Sequence, residues 1–211
     1  MDRNGGGSKT AAGSRGAARG LGALGALAVT LALVPPADAA TKRLKVPLTC
    51  SKGGDQTHQL DVAAPDRAAQ GTKYTVRIDG STSGKVEHTG LNYIHDMEEE
   101  YVVPAGTKYV EGSGKIVPNT GTPNVAKTAR LFHEKGVVHF LLPARVEAGD
   151  SYTPPSLEFQ LEISAAPGNE LPLKLLRYSV VANAVVVGDT KAVCDPKPSP
   201  FPLVTTTVIK P

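Results

Sequence analysis

Histidine and carboxylate side chains are the main reactive groups of this chain, and their spacing decides what chemistry they can share. His88, His95, His133 and His139 with Asp96 can gather as a metal site, because distant strands are able to bring ligands to one surface. No fixed ligand spacing links them, so no metal residue is assigned. His139 falls in phase with Val137 and Leu141 and reads equally as a hydrogen-bonded histidine among core residues of one strand face. Asp96, Glu98, Glu99 and Glu100 offer the oxygen ligands that calcium takes, but without EF-hand spacing. The expectation for this run is a solvated charge cluster that blunts a strand edge.

Nucleophilic and zinc-protease chemistry find no motif. Gly80-Ser81-Thr82-Ser83-Gly84 has the outline of a nucleophile elbow, yet Thr82 holds the central position and no long helix pattern follows. Its composition predicts a polar hairpin loop. His133-Glu134 opens like H-E-x-x-H, but Val137 stands where the second histidine belongs and Gly136 opposes the required helix. No catalytic and no cofactor-binding residue is assigned, and no cofactor is expected.

The redox chemistry is simpler. Cys50 and Cys194, 144 positions apart, are the two cysteines of the chain, and in an exported protein an even count predicts a disulfide. Closing so long a loop stabilises by about 5 kcal/mol at most in the chain-entropy model. Two buried free thiols are the alternative.

Export is the expectation from the first 39 residues. Arg3, Lys9, Arg15 and Arg19 precede an apolar run from Leu21 to Val34, followed by Pro35, Pro36 and Ala37-Asp38-Ala39, the small-x-small pattern of a signal peptidase site. The run is too short to span hydrocarbon, so residues 1–39 read as a cleaved signal peptide and residues 40–211 as a single domain with no transmembrane segment. Loss of the leader leaves 19 Lys plus Arg against 18 Asp plus Glu. With the bases scattered singly, nucleic acid is excluded as a partner.

The elements that must position any site are strands. Leu157-Glu158-Phe159-Gln160-Leu161-Glu162-Ile163 alternates apolar and polar without a break, placing one set inside and the other in water. Tyr74-Thr75-Val76-Arg77-Ile78 repeats the pattern up to the turn pair Asp79-Gly80, and Leu60 and Val62 flank Asp61 in the same way. Val137–Leu142 and Val180–Val187 are more continuously apolar, as expected of strands covered on both faces. Gly and Pro recur too often for helices of ten residues. About ten strands are predicted, arranged as an all-β, antiparallel two-sheet β-sandwich, immunoglobulin-like or jelly-roll-like. Asp195–Pro202, with proline at every second position, predicts a stiff connector that delivers Leu203–Ile209 to the sheet.

Cys50 after a short apolar strand, Val102-Val103-Pro104-Ala105-Gly106, Leu142-Pro143-Ala144 with Val146, Gly149 and Asp150, and Cys194 in a Pro-rich segment before Leu203–Val208 form a layout that resembles the exported two-cysteine β-rich proteins of unknown function found in actinobacteria. The Ala/Gly-rich leader is similar to theirs as well. The resemblance implies a secreted or cell-envelope setting and carries no catalytic residue. Asp96–Glu100 and the histidines depart from it.

The leading functional expectation is a secreted or cell-envelope, non-enzymatic binding or structural module with an unknown extracellular or envelope partner. The alternatives are a secreted hydrolase whose site is built from distant strands, and a membrane-active protein. Six tyrosines among ten aromatics, with no tryptophan, suit either an interface or strand packing.

Overall fold

The structure, a computed structural model, describes residues 39–80, 86, 89–118 and 128–211. Residues 1–38 of the expected leader therefore lie outside the described residues, as do His88 and Ser81 to Gly84 of the elbow-like segment.

Fourteen strands and no helix are present among the described residues. In chain order they are β1 (Ala40–Cys50), β2 (Gly54–Ala64), β3 (Arg67–Ala69), β4 (Lys73–Gly80), β5 (Leu91–Val102), β6 (Thr107–Tyr109) and β7 (Lys115–Val117), then β8 (Arg130–Glu134), β9 (Val137–Leu142), β10 (Val146–Glu147), β11 (Ser156–Ile163), β12 (Glu170–Ala184), β13 (Gly188–Pro196) and β14 (Phe201–Ile209). The count exceeds the expected ten by four, and four strands, β3, β6, β7 and β10, are only two or three residues long. Such pieces have no room to show a period.

Hydrogen bonds link the strands in the order β6-β11-β4-β2-β1-β13-β12-β5-β9-β8, with β7, β10, β14 and β3 attached to its side. Every pairing is antiparallel except β3 with β14. The turns follow from residue type. Gly53 and Gly54, both at positive φ, close the β1–β2 hairpin, and Lys135 and Gly136 at positive φ form a type I′ turn between β8 and β9. Gly80 is required for space: a Cβ there would stand 2.7 Å from Pro154.

Alternation fixes the inner face. In β11, Leu157, Phe159, Leu161 and Ile163 are buried while Gln160 and Glu162 are exposed, and β4 buries Tyr74, Val76 and Ile78, both as the sequence predicts. These side chains join Leu60, Val62, Tyr101, Val138, Phe140, Leu173 and others in one cluster. Strands as remote in the hydrogen-bonded order as β11 and β9 contribute to it, so the sheet folds over on itself around one apolar interior.

Three expectations are revised. Val180–Val187 is not a doubly covered strand: Val185, Val186 and Val187, with relative exposures of 71, 92 and 69%, form the tip of the β12–β13 hairpin. His139 does not sit among core residues, because Val138, Phe140 and Leu142 are the buried face of β9 and His139 points to the other side. Asp96–Glu100 does not blunt an edge, since β5 pairs with β12 on one side and with β9 on the other.

Cys50 and Cys194 form a disulfide at directly opposed positions of β1 and β13, where these strands pair over only three residues. The bond reinforces one of the two shortest ladders in the main strand order, the other being β6–β11. Replacing both residues by alanine is expected to lower the midpoint of urea unfolding, with a loss of unfolding free energy of about 5 kcal/mol at most. An unchanged midpoint would contradict the bond's role.

Candidate functional site

The phase of β5 decides which of its side chains meet the interior. Ile94 faces inward, and strict alternation would carry Asp96, Glu98 and Glu100 in after it. Instead Ser179 pairs with Glu98 and Val181 with His95, so two steps on β12 oppose three on β5. This is a β-bulge, with Asp96 at φ 47°, a conformation aspartate tolerates better than most residues. Beyond it the odd positions turn inward. Met97, Glu99 and Tyr101 become buried, and Glu98 and Glu100 lie on the outer face.

Glu99 is thus a carboxylate inside an apolar core, 5% exposed. His58 Nε2 on β2 donates to its Oε1 at 2.9 Å, and the Tyr101 hydroxyl donates to Oε2. Burial opposes the charge, but the hydrogen bond and charge of His58, with the Tyr101 hydroxyl, hold the Glu99 carboxyl below its usual range. Burial, followed by the neighbouring Glu99 charge, pushes the Tyr101 phenol well above its ordinary value. Tyr178 stacks on the His58 ring at 5.2 Å. Burial raises the Tyr178 phenol well above its usual value, reinforced by Tyr152, and pushes Tyr152 up to about 12.

This network closes one end of a cleft of about 590 Å³, within the range of small-molecule sites. The cleft continues the core toward the β1–β2 and β12–β13 turns. Inward positions that carry Leu or Phe elsewhere carry Ala182, Ala184 and Ala192 here, and the space they leave is walled by the Cys50–Cys194 disulfide, Leu48, Leu91, Ile94 and Val180. His58 and Tyr178 line it from within, while Lys52, Gln56 and Gln59 are exposed on its rim. No carboxylate lines it among the described residues.

Among the described residues, the candidate histidines are not brought together. His95 bonds Asp96 and lies 3.6 Å from Asp189. His133 bonds Glu111 and stacks on Tyr109, and His139 faces Glu98. Each engages its own carboxylate. The tyrosines do not form a surface platform either: Tyr74 and Tyr101 are buried and the other four are partly buried.

His58 was absent from the sequence-based metal candidates, although its phase with Leu60 and Val62 marks it as inward-facing. Glu99 could not be found by phase, because the bulge at Asp96 hides it. With Glu99 as orienting carboxylate, His58 has the form of a base, but no serine hydroxyl or free thiol lines the cleft among the described residues. The pair has the form of two of the three members of a hydrolytic triad, without the nucleophile.

No family model and no curated protein matches the chain. Among solved structures, it is similar to a protein from Corynebacterium diphtheriae described as membrane anchored, at 12% identity over 82% of this chain and 38% of that one, with a TM-score of 0.48. The chain therefore spans well under half the length of that protein. It is also similar to the sixth cohesin of scaffoldin B from Acetivibrio cellulolyticus, at 13% identity over 80% of this chain and 100% of that one, TM-score 0.38. The full-length major pilin SpaD of Corynebacterium diphtheriae follows at 16% identity over 66% of this chain and 35% of that one, TM-score 0.38. No helix among the described residues is long and apolar enough to cross a membrane.

The sign of the pH dependence follows from Glu99. Its folded carboxyl is held below the ordinary value of 4.5, so on acidification the unfolded chain takes up that proton first. The stabilisation is complete above that value and is lost as the pH falls through the folded one. In urea unfolding, the wild type is expected to lose more stability between about pH 5 and 3 than Glu99→Gln, and equal losses would contradict the assignment. His58→Ala, which strands a buried charge, is expected to cost about 3–5 kcal/mol at pH 7.

Proposed function

We propose that this chain is an exported, non-enzymatic β-sandwich that binds an amphipathic small molecule in the cleft beside the disulfide. The cleft itself carries the reading: it is apolar within, holds no carboxylate among its described lining residues, and has Lys52, Gln56 and Gln59 at its rim. These features favour an apolar body with an anionic or hydrogen-bond-accepting head. Pre-organisation supports it too. The walls are strand residues and a disulfide, and the closed end is held by the His58–Glu99 bond, so little ordering cost falls on binding.

The two-sheet form is supported by that same bond. β2 pairs with β1 and β4, and β5 with β12, β9 and β10, so His58 and Glu99 meet across the interior from strands that share no ladder. Export is supported by the leader pattern of residues 1–39 and by the disulfide, in line with the resemblance to exported two-cysteine proteins. Binding is preferred to hydrolysis because no serine hydroxyl or free thiol stands beside the His58–Glu99 pair among the described cleft residues.

Fluorescence titration of the oxidised chain with anilinonaphthalene sulfonate, an apolar ring system with an anionic head, tests this. Saturable one-site binding that decanoate displaces is expected. Ala182→Phe, which fills the cleft, is expected to weaken it at least about tenfold, and Lys52→Glu to weaken it severalfold, as removal of a rim charge does. Binding that is absent, or indifferent to Ala182→Phe, would overturn the proposal.

A further inference from the structure

The bulge that turns Glu99 inward leaves Glu98 and Glu100 side by side on the outer face of β5. His139 stands directly opposite Glu100 in the β5–β9 ladder. One ligand atom from each of Glu98, Glu100 and His139 lies within 4.8 Å of the other two, and all three side chains are partly buried. This is tight enough for one ion to touch all three.

The imidazole is held but unsatisfied. Phe132, paired with His139 across the β8–β9 ladder, stacks on its ring at 4.9 Å and 8° and so fixes the ring plane. Nδ1 is buried and makes no hydrogen bond, although Glu98 Oε1 is only 3.4 Å away. A buried ring nitrogen facing a carboxylate in poor hydrogen-bonding geometry is unfavourable by itself, and a shared cation satisfies both groups at once. Glu98 Oε2 is in turn oriented by the buried Ser179 hydroxyl at 3.5 Å, while Lys191 Nζ at 3.4 Å competes with a metal ion for the same oxygen. Supporting contacts of this kind position metal-binding carboxylates. The Lys191 side chain is 54% exposed and free to swing away.

The geometry points to Glu98, Glu100 and His139 as a binding site for a divalent transition-metal ion, on the face of β5 opposite the cleft. Two carboxylates and one imidazole form a donor set of intermediate hardness, suited to Zn²⁺ or Mn²⁺. Mg²⁺ and Ca²⁺ prefer oxygen alone, and Cu⁺ requires sulfur. Three protein ligands leave the remaining coordination positions to water. The site stands independently of the cleft reading, because its residues point the other way.

Calorimetric titration of the chelator-treated, oxidised full chain with zinc chloride tests the site. One saturating equivalent is expected, undisturbed by a hundredfold excess of Mg²⁺ or Ca²⁺. Glu100→Gln and His139→Gln are each expected to weaken binding at least about tenfold. Lys191→Met, which removes an exposed competing cation and leaves all three ligands in place, is expected to strengthen it. Absence of saturable binding overturns the site. So does an affinity unchanged in both ligand variants, which would place the metal at His95 or His133. Weaker or unchanged binding in Lys191→Met overturns it as well, and that arm holds even where a ligand variant fails to fold.

Discussion

An ionised carboxylate deep in an apolar core is costly unless its oxygens are matched, and Glu99 imposes that demand on this fold. His58 from β2 and Tyr101 from β5 itself meet the demand. The match requires β2 and β5 to face each other in one registration, because a shift of one residue along either strand would send His58 or Glu99 to the opposite face. A buried pair of this kind contributes little net stability compared with well-packed apolar residues, but it penalises every arrangement that separates its members. The bulge at Asp96 makes the pairing possible, by resetting the phase of β5 between Ile94 and Met97.

The same reset separates two chemistries on one strand. Inward lies the His58–Glu99–Tyr101 network, extended by the ring of Tyr178 and closing a cleft whose space comes from Ala182, Ala184 and Ala192. Outward lie Glu98 and Glu100, beside a histidine whose ring nitrogen has no hydrogen bond. Small inward residues at this end of the interior sacrifice burial that Leu or Phe would provide, and the disulfide offsets that loss where β1 and β13 pair over only three residues. A rigid, underfilled end beside a fully packed core is a natural place for a ligand.

Much of this was legible in the sequence wherever alternation ran unbroken. Leu157–Ile163 and Tyr74–Ile78 gave their strands and their inner faces directly, and the two cysteines gave their bond. Punctuation by glycine and proline correctly excluded helices from the described residues, and the proline-rich stretch does join β13 to β14. Legibility failed where a local irregularity changed the phase. Asp96–Glu100 looks like a solvated run because four acids in five positions are usually exposed, and nothing local announces that one of them faces a histidine some forty residues earlier. His139 falls on the wrong face for a different reason: in a strand as largely apolar as Val137–Leu142, with valine or leucine on both sides, composition does not say which side is the core. The valines at 185–187 misled similarly, since an apolar run does not distinguish a strand from a hairpin tip.

Everything described for the cleft and for the outer acidic pair depends on Glu99 being inside and ionised against His58. The most direct measurement is a residue-resolved ¹³C NMR titration of the glutamate side-chain carboxyls in the oxidised protein. The account predicts that the Glu99 carboxyl stays ionised to a pH below the ordinary glutamate range, and that its resonance shifts when His58 is replaced. A Glu99 carboxyl that titrates as a solvent-exposed glutamate, insensitive to His58, would contradict the inward phase of β5 and with it both sites.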